Sequence, residues 1–429
     1  MRRLISCFAG LLALTACGES AELPVTQGMG TDPALPEPTE TVFPTVNTAD
    51  AVGWGDGEAP RAAPGLTVSA FASDLDHPRW LYRLPNGDVL VAESNKPPKG
   101  QGGGLMAWIE EKVMASAGAG AETANRITLL RDSDRDGQVD ERHVFATADN
   151  GLASPFGMAL VAGDFYVANY AGLLRFPYED GATSLRGEGE LVAEFPDRGE
   201  KAGHWTRNLL ASPDGRKLYV SVGSVSNVGE SGLGVEEGRA AIHEFDVETG
   251  EMRLFATGLR NPVGMDWNPA TGELWTAVNE RDALGSDLVP DYMTSVEEGG
   301  FYGWPWLYYG NVADDRAPGT PPRETAIKPD YALGPHTASL GLAFTSSGSG
   351  AIVGQHGSWN RKPPSGYMVV YVPFEDGEPA GLPQVLLDGF LVGGEAKGRP
   401  VGVAFDATGA LLVADDAGNR VWRVAPEGR

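Results

Sequence analysis

One pattern of apolar and polar positions returns along the chain: a turn containing glycine, a short apolar run, then polar residues. It reads LPNGDVLVAESN over residues 84–95, LVAGDFYVANY over 160–170 and SPDGRKLYVSVGS over 212–224. It returns as NPATGELWTAVNERD (268–282), SSGSGAIVGQHGSW (346–359) and DATGALLVADDAG (406–418). Apolar runs of this length between turn residues predict strands, and a recurring unit predicts one supersecondary element copied along the chain. Six copies of a four-stranded unit, set radially, make a six-bladed β-propeller in which each blade buries its faces on its neighbours. The expected class is therefore all-β, with long loops inserted between strands. LTVSAFA (66–72) is expected to pair with RVWRVA (420–425) and close the ring. One short helix is expected in GLMAWIEEKVMASAG (104–118), where Leu105, Trp108, Ile109 and Val113 share a face.

In each copy polar residues follow the strand directly: Glu93, Asn169, Ser224, Glu280, His356 and Asp415. In a propeller, equivalent strand ends lie on one face around the central channel, so these six should converge. Any one of them alone reads better as a strand cap. HWTRNLL (204–210) places His204, Arg207 and Asn208 just ahead of the third copy.

Composition supports the architecture. Gly and Pro number 58 and 31 of 429 residues, well above the roughly 12% of ordinary chains. The formal charge of −25 excludes a nucleic-acid partner on electrostatic grounds. Any anionic ligand must find a local pocket of arginine and lysine.

The chain opens with Arg2 and Arg3, an apolar run from Leu4 to Leu14, and Leu14-Thr15-Ala16-Cys17. A basic start, a short apolar core and small residues before a cut describe an export leader over 1–17. Its ending resembles a bacterial lipobox, which makes Cys17 the expected lipidation site. Gly18 after the cysteine points by that resemblance to the outer membrane, with the domain facing the periplasm and held by its lipid anchor. Cys7 lies in the leader, so no cysteine remains for a disulfide or a covalent haem. Residues 18–63 are Pro-, Thr- and Glu-rich with little periodicity, and read as a disordered tether. The propeller is expected over 64–429.

Two further motifs bear on chemistry. DSDRDG (132–137) spaces Asp132, Asp134 and Asp136 as in an EF-hand loop, with Asp140 at the ninth position but His143 at the twelfth. It fits a calcium-stabilised loop and an acidic β-turn equally. The aromatic run FYGWPWLYYG (301–310) fits blade packing better than a stacking platform for a ligand.

VNERD (278–282), GGFYGWP (299–305) and GQHGSWNRK (354–362), taken with HWTRNLL and Arg260-Asn261-Pro262, resemble the glucose/sorbosone dehydrogenase family of quinoproteins. The sorbosone and pyranose dehydrogenase-like branch is the nearest. The resemblance runs from about residue 64 to the end. It implies a six-bladed propeller that uses pyrroloquinoline quinone (PQQ) and calcium to oxidise a sugar, sugar aldehyde or polyol. It implies His204 as the general base and Arg260 and Asn261 as partners of the quinone oxygens. Backbone carbonyls of Arg281 and Asp282, with Asp287 near by, are implied for the PQQ-linked calcium, and Arg361, Lys397 and Arg399 for the cofactor carboxylates. Gly203 and Ser224 stand where the glucose dehydrogenase branch has acidic residues, which leaves the partner of His204 open. With no haem motif, electrons are expected to leave to a separate cytochrome or quinone. Two other classes stay open: a calcium-dependent lactonase or esterase propeller, whose metal ligands would be side-chain carboxylates, and a propeller that binds a ligand without catalysis.

Overall fold

A computed structural model describes residues 18–39, 45–97, 122–196 and 203–428. The leader, Cys17 and the expected helix over 104–118 lie outside the described residues. Among those described, helix is limited to short 3₁₀ turns such as Val25–Gly28 and Leu233–Glu236.

Six antiparallel sheets follow one another along the chain, each with a four-stranded core. Blade 1 runs Pro78–Arg83, Val89–Glu93, Arg126–Arg131, Glu141–Ala146. Blade 4 runs Asn261–Trp267, Leu274–Asn279, Pro290–Ser295, Tyr331–Pro335. Blade 6 takes Pro400–Phe405, Leu411–Asp415 and Arg420–Pro426 from the end of the chain. Its fourth strand, Leu66–Ala72, comes from the start, with Val424 opposite Val68. This is the expected closure. It joins the ends of the ring without a covalent link, so blade 6 cannot form until both ends of the domain are present.

The blades pack through apolar faces. Trp80 and Leu90 of blade 1 meet Phe156 and Phe165 of blade 2 in one buried cluster, and Trp275 of blade 4 meets Phe344 and Val353 of blade 5 in another. Aromatic pairs there sit edge to face, as with Trp275 and Phe374 at 5.2 Å between centroids, the arrangement that ring quadrupoles favour. Near the axis the innermost strands come closer than a side chain allows. A Cβ on Gly341 would overlap the Val401 carbonyl of blade 6, and one on Gly402 would overlap the Arg79 carbonyl of blade 1. Glycine at these positions lets the inner strands meet backbone to backbone and narrows the channel.

The expectation of a disordered tether is corrected for residues 18–39 and 45–63, which lie along the propeller. Met29–Gly30 extends blade 4 beside Leu333–Ala332, and Arg61–Ala62 extends blade 5 beside Leu387–Asp388. Asp50–Ala51 runs parallel to Glu395–Ala396. Each contact satisfies only a few backbone groups, so proline between them is tolerated. The pairing partners lie hundreds of residues away, and local periodicity carries no trace of them.

Candidate functional site

Where the polar strand ends meet, a cavity of about 300 Å³ opens among the blades. Four of the chain's six histidines line it: His77, His204, His336 and His356. Half of its polar wall comes from two structural positions, repeated around the ring. One is the segment that opens an inner strand, carrying His77 and Arg79, Arg260, His336 or Arg399. The other is the end of the second strand, carrying Glu280, His356 or Asp416.

His204 stands on the loop before blade 3, and two arginines fix its backbone. Arg207 Nη1 and Arg239 Nη2 both donate to the His204 carbonyl, at 2.9 and 2.8 Å. The imidazole Nδ1–H faces the Ser224 carbonyl at 2.9 Å. That bond selects the tautomer with an unprotonated Nε2, the form a base needs. Burial, and then the Arg260 charge, hold the imidazole well below the ordinary histidine range, so at neutral pH it is uncharged. The partner left open by the sequence is thus a backbone carbonyl of Ser224, whose own hydroxyl lies 3.1 Å from Nδ1 and donates to Ser226.

Arg260 is buried and fully engaged. It donates to the Glu280 carbonyl at 2.6 Å and to Asn227 Oδ1 at 3.0 Å, and its Nη2 lies 3.2 Å from the Asp282 carboxylate. Asp282 also accepts from Asn360 Nδ2 at 2.8 Å and lies 3.5 Å from His336 Nδ1. Burial opposes ionisation of Asp282, but Arg260 and His336 outweigh it and keep the carboxylate far below its usual range. The same carboxylate moves His336 upward against the effect of burial. Glu280 is different. With burial dominant, its carboxyl is pushed up to about 7, and that of its neighbour Asp291 to about 6.

Asp416 organises the opposite wall. It accepts from Arg79 and from His356 Nε2 at 2.9 Å, with His77 Nε2 at 3.5 Å. His356, His77 and Arg79 together overcome burial and hold Asp416 well below the carboxylate range. Burial lowers both imidazoles, His77 to about 4, so the permanent positive charge in the group belongs to Arg79. Arg399 completes this wall. Its Nη2 donates to the Ala49 carbonyl at 3.3 Å and its guanidinium lies 5.0 Å from the Tyr367 ring centroid. Its Nε has no partner, and among the described residues no carboxylate pairs with it. A buried guanidinium without a counter-charge costs several kcal/mol unless a ligand supplies one.

The TrAA12-like family profile matches residues 121–296 and 317–427, about two thirds of the chain. The chain belongs to the TrAA12-like family. A PQQ-dependent sugar dehydrogenase of Hypocrea jecorina is 24% identical over 428 residues, covering 85% of this chain and 89% of that protein. A PQQ-dependent pyranose dehydrogenase of Coprinopsis cinerea is 51% identical over 49 residues, which is 11% of this chain and 7% of that protein. An uncharacterized protein of Borreliella burgdorferi is 29% identical over 232 residues, 52% of this chain and 60% of its own length. The match therefore spans under two thirds of these last two relatives. In structure, the calcium form of a Trichoderma reesei family AA12 enzyme superposes with a TM-score of 0.69 at 21% identity, over 86% of this chain and 97% of that one. The holo PQQ domain of Coprinopsis cinerea pyranose dehydrogenase gives 0.65 at 21%, over 85% and 97%. At these identities the structures share the fold.

In this TrAA12-like chain several expected site residues are placed elsewhere. Arg361 points away from the cavity and donates to Leu23, Ser286 and Pro363 carbonyls and to Asp287. Asp287 is occupied by that arginine and by the Glu22 and Leu23 N–H groups, so it is no metal ligand at the cavity. Lys397 pairs with Glu58 at 3.2 Å. The N-terminal segment read as a tether thus supplies the partners that draw all three away. Arg281 is buried against Asp314, and with Asn227 it saturates the Asp282 carbonyl. What Asp282 offers the cavity is its carboxylate. Asn261 is buried beside Gly223 and His204, its Oδ1 unpartnered, and does not line the cavity. Asp132, Asp134 and Asp136 do cluster, with one ligand atom from each within 4.8 Å of the others, on the blade 1 hairpin away from the cavity. Of the six strand-end residues, Glu280 and His356 reach the cavity directly. Glu93 is tied to Arg126, Asn169 to the Gly151 carbonyl, and Asp415 to Trp54 and Trp422.

Proposed function

We propose that the chain is a PQQ-dependent oxidoreductase acting on a sugar or related polyol or aldehyde, with His204 as general base. The observation that carries this reading is the cavity wall itself, where a neutral histidine with a fixed tautomer, a carboxylate-paired Arg260 and an unpaired Arg399 face one space. The volume, about 300 Å³, is at the lower end for pockets that hold a small organic molecule, roughly 300–1,000 Å³. PQQ carries three carboxylates, and the donor set fits it: Arg399 lacks a counter-charge, Arg79 keeps a buried Nε without a partner, and Lys96 lines the same cavity. The names of the Hypocrea and Coprinopsis relatives support the same cofactor and a sugar substrate.

When bound, PQQ supplies an ortho-quinone that accepts the hydride equivalent of the oxidised carbon. The chain's residues do the rest. His204 Nε2 takes the hydroxyl proton, while Ser224 keeps the ring in register through Nδ1. Arg260 is held by Asn227, Glu280 and Asp282 so that its charge is fixed before substrate arrives, the preorganisation that makes such a group effective. Arg399 and Arg79 orient the anionic cofactor. The residues nominated for calcium do not form a set in the cavity, and no step is routed through that ion.

The leader and lipobox support an exported, lipid-anchored enzyme on the periplasmic side, and the lack of a haem motif in this sequence supports a separate electron acceptor. The direct test adds PQQ, with and without calcium, to the purified protein and follows a sugar panel with an artificial electron acceptor. Saturable PQQ binding with turnover of at least one sugar is expected. Failure to bind PQQ under either condition overturns the reading.

A further inference from the structure

We propose that residues 45–58 are a working part of the cavity, with Asn47 and Trp54 as positioning residues that hold Arg399 and the Trp359–Arg361 loop in place. The segment lies behind the cavity wall and contacts wall residues, or residues bonded to them, at three points. Asn47 clasps the loop twice, its N–H donating to the Trp359 carbonyl at 2.7 Å and its Nδ2 to the Arg361 carbonyl at 2.8 Å. Trp359 and Asn360 line the cavity, and Asn360 holds Asp282. Next, the buried Ala49 gives its carbonyl to Arg399 Nη2 at 3.3 Å. Then Trp54 Nε1 donates to Asp415 Oδ2 at 2.7 Å.

That last bond is the most informative. Asp415 is wholly buried, and its other oxygen accepts the N–H of Arg399 at 2.7 Å and of Gly418 at 2.8 Å. Its chain neighbour is Asp416, which gathers Arg79, His77 and His356. One carboxylate, on the residue next to the acidic hub, therefore ties the segment to the backbone of the cavity's unpaired arginine. Trp54 also packs edge to face on Trp422 and Phe390, at 5.2 and 5.6 Å, so its position does not depend on the hydrogen bond. Short parallel pairing of Asp50–Ala51 with Glu395–Ala396 sets the register between these contacts. A segment serving only as a spacer needs none of this.

The inference that ligand affinity depends on the segment rests on the PQQ reading; the bracing itself does not, and the two are measured separately on the full chain. Trp54→Phe keeps the ring packing and deletes the donor, and Asn47→Ala deletes the side-chain clasp. Arg61→Ala is the control, because it removes a contact made just beyond the segment, with Asp388, 2.5 Å long and on the blade 5 edge. In hydrogen–deuterium exchange without cofactor, the Arg399 and Gly418 amides should exchange at least about fivefold faster in Trp54→Phe, and unchanged in Arg61→Ala. In isothermal titration with PQQ, the Asn47→Ala/Trp54→Phe double variant should bind about tenfold more weakly and Arg61→Ala within about twofold of wild type. Unchanged exchange at 397–400 and 415–418 in Trp54→Phe overturns the brace, as does equal loss of melting temperature in all variants with affinity intact. If the wild type binds no PQQ, the cofactor reading is what fails, and the exchange measurement still decides the brace.

Discussion

Replacing His204 by alanine isolates the proton transfer from everything else the cavity does. The substitution leaves the loop held: the Ser224 carbonyl still accepts the backbone N–H of residue 204 at 2.9 Å, and Arg207 and Arg239 still grip its carbonyl. The variant should fold and keep PQQ affinity within a few-fold. Turnover should fall by about 10²–10⁴, the range for a positioned general base, or about 3–5 kcal/mol of transition-state stabilisation. Arg260→Ala should behave differently. It deprives the partly buried Asp282 carboxylate of its charge partner and should weaken both PQQ binding and turnover, since a fixed charge acts on bound ligand and transition state alike.

The pH dependence gives an independent check. Burial and Arg260 lower the His204 pKa, so the neutral form persists below the ordinary value near 6.5. Turnover should stay level as pH falls to 6.5 and drop only below it, and that acid limb should vanish in His204→Ala. The stability term follows the same sign. A histidine buried neutral contributes stability above the unfolded pKa, and loses it as pH falls through 6.5, because only the unfolded chain takes up the proton. Steady-state rates with an artificial acceptor, beside a PQQ titration, supply the test. Near wild-type turnover in a cofactor-loaded His204→Ala would refute the assignment and move the search to His356.

Arg399→Gln should weaken PQQ binding at least about tenfold while leaving the apo protein's melting temperature unchanged or higher, since it removes a buried cation that has no counter-charge. A fall in apo stability, with affinity kept, would show that Arg399 is structural. Glu280→Gln should stabilise the apo protein at pH 8 by on the order of 2–3 kcal/mol and change little at pH 5. Its carboxyl sits at about 7, so the cost of a buried charge grows as pH rises from the unfolded value through 7; thermal melts at both pH values measure it, and equal melting shifts would refute it. Cys17→Ser should abolish lipid labelling and release the protein from the membrane fraction; retention with label would reject the anchor.

The blades were readable because each repeats a local event, a glycine turn before an apolar strand, and local events leave local patterns. The closure of Leu66–Ala72 on Arg420–Pro426 was readable for the same reason, as both are plain strands with one partner missing. The segment over 18–63 was not. Its ladders are two residues long and its anchors, Arg361, Asp287 and Lys397, are distant in sequence. The family resemblance put those three side chains at cofactor and metal, and nothing in the local pattern of 18–63 signals the partners that occupy them. The cavity acids show a second limit. In Asp415-Asp416 the strand pattern picked the first, yet successive side chains leave a strand on opposite sides. Asp415 turns to Trp54 and Trp422, and Asp416 to the cavity. A usable signal for His77, His336 and Arg399 did exist: a cationic or imidazole residue opens nearly every inner strand, as in DHPRW, LRNPVG, PHTASLG and KGRPVG.

Sorting the buried charges explains why a chain of net charge −25 is compatible with an anionic cofactor. Surface repulsion is screened beyond about 8–10 Å at physiological salt, so affinity is decided by the wall within that distance. There, two carboxylates stay ionised only because each is matched, Asp282 by Arg260 and Asp416 by Arg79. Two others, Glu280 and Asp291, are raised by burial to about 7 and about 6, so near neutral pH Glu280 carries only part of a negative charge and both lose it as pH falls. What remains uncompensated is Arg399. Stability alone is served better by an apolar group there, since buried ionic groups seldom repay their desolvation. An arginine at the cavity, braced through Ala49 and Asp415, is what a site for a carboxylate-bearing ligand requires.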